Sequence, residues 1–414
     1  MEVLKIATAG SVDDGKSTLI GRLLYDTNSI TQDKLEAIDN ASKNKGLDYT
    51  DLSLLTDGLI AEREQGITID VAHIYFSTPK RKYIIADTPG HFEYTRNMVT
   101  GASKADVSII LIDARKGVIE QTFRHFYIST LLRIKNVVVA VNKMDLVNYS
   151  EEYFNKIKQE FSAFAKKLKF DEQQIQFIPV SSLYGENIVT KSDKTPWYDG
   201  GSLLDYLENV DVKSTDISSG RLPVQYVIRP KSDKFHDYRA YAGRIAGGSF
   251  RVGEEVLVLP SGRKSTIKKI EKFDKEIALA KDKESVKIIL ADDVDISRGD
   301  MIASASNPPL ITKQLKADIS WMQNETLTLG KTYLLQHGVN RVKAKISAIN
   351  YSVDVTNLEK NSDVSEVKLN EIAQVEIRLA KEIFVDDYQA NKNNGAFILI
   401  DESSNNTAGV GMIK

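Results

Sequence analysis

Apolar and polar positions change rhythm along the 414-residue chain. In its first half, short runs that are apolar at nearly every position predict strands buried on both faces: Val3–Thr8, Tyr83–Ala86, Val107–Ile112, Val137–Val141 and Ile175–Val180. Between them, Ser17–Tyr25, Glu120–Arg133 and Glu151–Leu168 repeat their apolar residues with helical spacing. Leu203, Leu204 and Leu207 predict a last short helix, Ser202–Glu208. Both-face-buried strands alternating with helices predict an α/β domain, doubly wound around a mainly parallel sheet. After about residue 212 the long helices stop. Lys213–Gly220 is short and polar, as a linker would be. The later runs predict antiparallel strands: Val224–Ile228, Ala240–Ile245, Glu255–Leu259, Val286–Leu290, Ala317–Trp321, Val342–Ile349, Ala373–Leu379 and Phe397–Ile400. Pro308-Pro309 divides them into two small β-barrels. The expected domains are therefore 1–212, 213–308 and 309–414.

Composition narrows the chemistry. The chain is 42% hydrophobic and 27% charged, which excludes a wholly disordered protein. It has no Cys, so disulfides, thiol nucleophiles, thiolate zinc sites and Cys-ligated clusters are excluded. No apolar run reaches the roughly 18 residues that a spanning helix needs, and no membrane role is expected. The N-terminus enters a strand pattern at once, without a signal-peptide pattern, so a cytoplasmic protein is expected. The net charge of −2 sums three unequal parts: −5 over 1–212, +4 over 213–308 and −1 over 309–414. Arg263, Lys264, Lys268, Lys269 and Lys272 contribute to the middle excess. They read as a solvated hairpin face, with a nucleic-acid groove as the other reading.

Gly10-Ser11-Val12-Asp13-Asp14-Gly15-Lys16-Ser17-Thr18 contains G-x-x-x-x-G-K-[ST] between a predicted strand and a predicted helix, the context that a phosphate-binding loop requires. Its backbone N–H groups and the helix N-terminus suit a β-phosphate. Lys16 suits the β- and γ-phosphates, and the Ser17 hydroxyl suits Mg²⁺. Three further groups end predicted strands. Asp87 of Asp87-Thr88-Pro89-Gly90-His91 can hold Mg²⁺ through a water, and the Gly90 N–H can reach a γ-phosphate. In Asn142-Lys143-Met144-Asp145, the Asp145 carboxylate can accept from the N1–H and the 2-amino group of guanine, donors that adenine lacks there. Lys143 can lie over the base, and within Ser181-Ser182-Leu183 the Ser182 N–H can donate to guanine O6. The expected ligand is GTP or GDP with Mg²⁺.

Together these elements resemble the translation-factor-like GTPases, and Glu62–Ile69 (EREQGITI) resembles their first switch signature. The resemblance implies that Thr68 is a second Mg²⁺ ligand and that His91 orients the attacking water. It also implies a monovalent cation near Asp13. His73, His125, His236 and His337 have no such context and read as packing or surface residues.

The likeness narrows further. Gly10–Tyr25, Leu54–Val71, Ala86–Ser103, Asp113–Gly117, Val137–Val147, Pro223–Pro230, Ile296–Ile302 and Asn391–Ile400 resemble the large GTP-hydrolysing subunits of bacterial ATP sulfurylase. Elongation factors typically carry His where this chain has Asp14, and Cys or Ala where it has Thr88. The resemblance implies a heterodimer in which a smaller subunit makes adenylylsulfate and pyrophosphate from ATP and sulfate, driven by GTP hydrolysis here. The chain has no S-G-G-x-D-S-type loop for the adenylyl chemistry and no second phosphate loop of a fused kinase. Two alternatives remain from sequence: an elongation factor carrying aminoacyl-tRNA, and a regulatory switch without an enzymatic partner. Asp14 beside phosphates should repel them unless it points outward or meets a partner.

Overall fold

A computed structural model describes residues 2–44, 46–55, 70–90, 95–168, 174–212, 219–230, 238–273, 275–355 and 357–414. It comprises two compact units, Met1–Lys213 with Val355–Glu359, and Ser214–Asp354 with Lys360–Lys414.

The first unit is a six-stranded sheet of β1 (Val3–Ala9), β2 (Ala72–Ser77), β3 (Lys82–Asp87), β4 (Val107–Asp113), β5 (Asn136–Asn142) and β6 (Gln174–Pro179). Their spatial order is β2-β3-β1-β4-β5-β6. All neighbours run parallel except β2, which lies antiparallel on the edge beside β3. The interior strands β4 and β5 are buried at every position, as their unbroken apolar runs predict. Helices α1 (Lys16–Asp26), α2 (Gln32–Asn44), α3 (Thr95–Ala102), α4 (Glu120–Leu131), α5 (Glu151–Lys167) and α6 (Leu203–Asn209) complete the unit. Ser202 caps α6 by accepting from the Asp205 N–H, while Leu203, Leu204 and Leu207 face the core.

The chain leaves β1 with β3 on one side and β4 on the other, so the strand order reverses there. Open α/β sheets bind ligands at the carboxyl ends of strands flanking such a point. Sequence periodicity missed β2 and α2. β2 buries only Phe76 fully, and α2 buries only Ile38 and Ser42, so neither shows a strong apolar period.

The second unit holds two antiparallel barrels. In one, eight strands between Arg221 and Ser304 form a single sheet around Leu222, Tyr241, Phe250, Val258 and Ile288. In the other, Thr332–His337 pairs both with Ala396–Ile400 and with Asn340–Val353, which closes the barrel around Trp321 and Tyr333. Thr407–Ile413 escapes sequence recognition because glycines interrupt it. A side chain at Gly411 would collide with the Phe397 ring, and one at Gly409 would crowd Trp321.

Arg263, Lys264, Lys268, Lys269 and Lys272 lie on one strand, Arg263–Lys272, whose burial alternates. Lys264 pairs with Glu255, Lys269 with Glu271 and Glu276, and Lys272 with Glu284, each within 2.8 Å. The local positive excess is thus interleaved with carboxylates along a hairpin face.

Candidate functional site

The loop from Gly10 to Gly15 links β1 to α1. α1 begins at Lys16 with Gly15 as its N-cap, in a left-handed conformation (φ 92°) and with no side-chain cap. No acidic residue lies in its first turn. Its first N–H groups therefore face an anion site without a competing side-chain acceptor, and the helix dipole adds to it. A Cβ at Gly15 would lie 2.5 Å from Asn142 Nδ2, so both backbone conformation and space demand glycine. Ser17 and Thr18 are half-buried in the first turn.

Lys16 is buried, and its Nζ donates to the carbonyls of Gly10 at 3.0 Å and Ser11 at 3.5 Å. Burial lowers the Lys16 pKa, against the opposing pull of Asp87, Asp14 and Asp13. Asp87, at the end of β3, is also buried and accepts from the Thr8 hydroxyl at 3.0 Å. Thr88 Oγ1 donates to the Thr8 carbonyl at 2.6 Å. Gly90 lies directly over the loop: a Cβ there would strike the Gly10 carbonyl and sit 2.6 Å from Lys16 Nζ. Strands β1 and β3 thus bring Lys16, Asp87 and Gly90 together, with Ser17 the next residue along α1.

This donor set fits a phosphate chain with Mg²⁺. Among the described residues no group of three or more His, Cys, Asp or Glu could hold a metal by itself. One hydroxyl and one carboxylate are what the protein commonly supplies when phosphates complete a Mg²⁺ sphere. Thr68 and His91, expected as the second Mg²⁺ ligand and the water-orienting group, lie outside the described residues, as does the whole first switch signature, Glu62–Ile69.

The residues expected to read the base converge from the ends of β5 and β6. Asn142 Nδ2 donates to the Asp14 carbonyl at 2.7 Å, which ties this strand to the phosphate loop. Asp145 Oδ1 accepts from Ser181 Oγ at 2.6 Å, fixing the carboxylate that would read guanine. Lys143 adopts a left-handed conformation (φ 61°). Its Nζ pairs with Asp113 Oδ2 at 3.1 Å and donates to the Asp13 carbonyl. The expectation for Ser182 changes: its N–H donates to Asn142 Oδ1 at 3.0 Å, as does its hydroxyl at 2.9 Å, so it supports Asn142 in this structure. Asp13 is exposed, also with positive φ (67°).

Arg22 and Asp113 are among the contributors that escaped sequence reading. Arg22 on α1 donates to the carbonyls of Ser182, at 3.3 Å, and Leu183, holding the base turn against the first helix. Asp113 ends β4 and binds Arg115 and Lys143 at once. Burial alone would raise its carboxyl, but hydrogen bonds from Arg115 and Lys143 outweigh that and hold its pKa at about 2. An acid closing a buried apolar strand was the signal available for Asp113.

His125 is a packing residue, the first of the two readings its lack of motif context allowed. It is 1% exposed on α4, with Nε2 3.3 Å from Gln121 Nε2, which in turn donates to the Gly90 carbonyl at 3.1 Å. Burial, aided by Lys16 and Arg124, lowers its pKa to about 3. A depressed histidine stabilises the fold above its unfolded pKa near 6.5, and that stability is lost as pH falls toward 3. Wild-type melting temperature is therefore expected to fall between pH 6.5 and 4 more steeply than that of His125→Gln. Parallel pH profiles from calorimetry would refute this assignment. His337 is also buried, with Nε2 2.9 Å from the Asn394 carbonyl, and His73 is exposed on β2. His236 lies outside the described residues.

The sequence profile of the elongation factor Tu GTP binding domain matches residues 1–212, and that of the GTP-eEF1A C-terminal domain-like family matches 314–414. A relative from Bacteroides fragilis named sulfate adenylyltransferase subunit 1 is 49% identical over 100% of this chain and 86% of its own. One of the same name from Aeromonas hydrophila is also 49% identical, over 99% of this chain and 86% of its own. A Mycobacterium tuberculosis protein named bifunctional enzyme CysN/CysC is 50% identical over 99% of this chain and 67% of its own.

Proposed function

The chain belongs to the sulfate adenylyltransferase subunit 1 family, and from that premise we infer that it is the GTP-hydrolysing subunit of a sulfate adenylyltransferase. It acts with a smaller subunit that transfers adenylyl from ATP to sulfate and releases pyrophosphate. GTP hydrolysis on this chain drives that unfavourable step. The observation that carries the reading is the joined site: the Asn142–Asp14 bond couples a guanine-reading turn to a phosphate loop, in a chain that resembles these subunits over its full length. The elongation-factor alternative is disfavoured by the same relatives.

The proposed roles come from the motifs and are supported by geometry where the residues are described. Lys16 exchanges the Gly10 and Ser11 carbonyls for β- and γ-phosphate oxygens, and the amides of Asp13–Thr18 surround the β-phosphate. Ser17 and Thr68 would hold Mg²⁺, with Asp87 reaching it through water, and the ion would supply neutralising charge to the phosphates. His91 orients the attacking water. Asp13, exposed at the loop, is the proposed contact for a monovalent cation. Coupling requires a partner that distinguishes the GTP and GDP states, since only differential affinity shifts an equilibrium. The switches around Thr68 and from Asp87 to about Met98 are the elements that a partner would distinguish. The domain division 1–212, 213–308 and 309–414 is part of the reading, supported by two separate barrel sheets. So is a cytoplasmic location; among the described residues no helix is long and apolar enough to cross a membrane.

The test combines the chain with the smaller subunit and follows sulfate-dependent pyrophosphate release from ATP. GTP should raise product formation over GDP by at least about tenfold, equivalent to about 1.4 kcal/mol. Equal yields with GTP and GDP, or GTP hydrolysis by the chain alone as fast as in the full mixture, would sink the coupling.

A further inference from the structure

Asp14 adds like charge to a loop that must receive a polyphosphate, yet the fold turns it inward, only 2% exposed. Its Oδ2 accepts the Ser11 N–H at 2.6 Å, and its own N–H donates to the Ser11 carbonyl at 3.2 Å. The loop is thereby closed upon itself. Lys116, on the turn after β4, places Nζ 3.9 Å from Asp14 Oδ1 and donates to the Val12 carbonyl at 3.4 Å. The Lys116 side chain is still 42% exposed, whereas Asp14 is enclosed. A buried carboxylate is thus balanced by the Ser11 amide on one side and a solvent-edge ammonium on the other. Burial pushes the Asp14 carboxyl up, against the Ser11 N–H, Lys16 and Lys116.

Two effects of Asp14 are separable. As an acceptor it orders the loop before nucleotide arrives. As a charge it opposes the phosphates in a low-dielectric setting, where charges interact strongly. We propose that Asp14 and Lys116 together set how long a guanine nucleotide stays bound, the carboxylate hastening its release and the ammonium restraining that effect. The proposal rests on the GTP reading above and assigns the pair a role beyond it. A protein that captures Lys116 with its own acid would unmask the Asp14 charge and speed exchange, without touching the nucleotide.

The experiment follows release of a fluorescent GDP from the full chain at pH 8, for wild type, Asp14→Asn, Lys116→Met and the double variant. Asp14→Asn keeps the acceptor for Ser11 and removes the charge, so release should slow by about five- to fiftyfold. Lys116→Met, at an exposed position, should hasten release by about three- to tenfold, and this effect should vanish in the Asp14→Asn background. Release from Asp14→Asn as fast as wild type, or a Lys116→Met effect of equal size in both backgrounds, overturns the proposal. A wild-type chain that binds no fluorescent GDP overturns the nucleotide reading and this proposal together.

Discussion

Asp145→Asn is expected to weaken GTP binding by about a hundredfold or more and to create a preference for xanthosine triphosphate, because two charge-assisted hydrogen bonds of about 1.5–3 kcal/mol each are at stake. The Asp145 carboxylate is held in place by Ser181 Oγ, 2.6 Å from Oδ1, so it would meet a base in one orientation. An amide presents a donor where guanine N1–H and the 2-amino group also present donors. Xanthine carries a carbonyl in place of the 2-amino group and accepts from that amide. Ser181 can still donate to the carbonyl oxygen of the substituted amide, so the turn should hold its shape. Competition binding with GTP and xanthosine triphosphate reads the exchange directly, and unchanged GTP preference would falsify the base assignment.

Asp386→Ala should cost the barrel unit about 3–5 kcal/mol, the usual result of removing one partner from a buried ion pair. Arg221 is fully buried and binds Asp386 through two parallel bonds, of 2.9 and 3.1 Å. Asn391 and Asn394 donate to the same carboxylate at 3.0 and 2.9 Å, and Asn391 also reaches the Ala246 carbonyl at 2.8 Å. The network therefore joins the two barrels beside the apolar cluster of Leu259, Met301, Ala303 and Phe384. Without Asp386 the guanidinium and two amides lose their common acceptor. Arg221→Met with Asp386→Leu should recover part of the loss, since an apolar pair avoids the buried guanidinium charge but leaves the Asn391 and Asn394 amides without their shared acceptor. Denaturant unfolding of the full chain checks both, and a cost below about 1 kcal/mol for Asp386→Ala would contradict this account.

The site was legible where chemistry is local. Gly15, Lys16 and Ser17 sit at fixed spacings because a strand–loop–helix unit must turn tightly, present amides and place a cation within a few residues. Asp145 with Ser181 was legible for a related reason: both close consecutive parallel strands, and parallel strands end side by side. Residues that act across the site were less so. Arg22, Gln121, Asp113 and Lys116 reach their partners through side chains from separate elements, and no spacing rule encodes that reach. Ser182 shows the converse, since its N–H was legible as a donor but its acceptor, Asn142, depends on packing.

Composition and charge have a similar limit. The middle segment's +4 excess was visible at once, but whether it forms a field depends on what stands opposite. In the folded hairpin, Glu255, Glu271, Glu276 and Glu284 face those lysines. Asp14 is the sharpest case. Sequence marked it as an unfavourable charge beside phosphates, and it is the backbone turn at Asp13 (φ 67°) that directs it onto Ser11 and toward Lys116. By itself the sequence determined the succession of strands and helices, the identity of the phosphate loop and the kind of base it serves. These depend on periodicity and on short covalent spacing. Tertiary structure alone decided which buried charges are balanced, which donors remain for a ligand and how two barrels are joined, because each depends on the low-dielectric neighbourhood that distant segments build together.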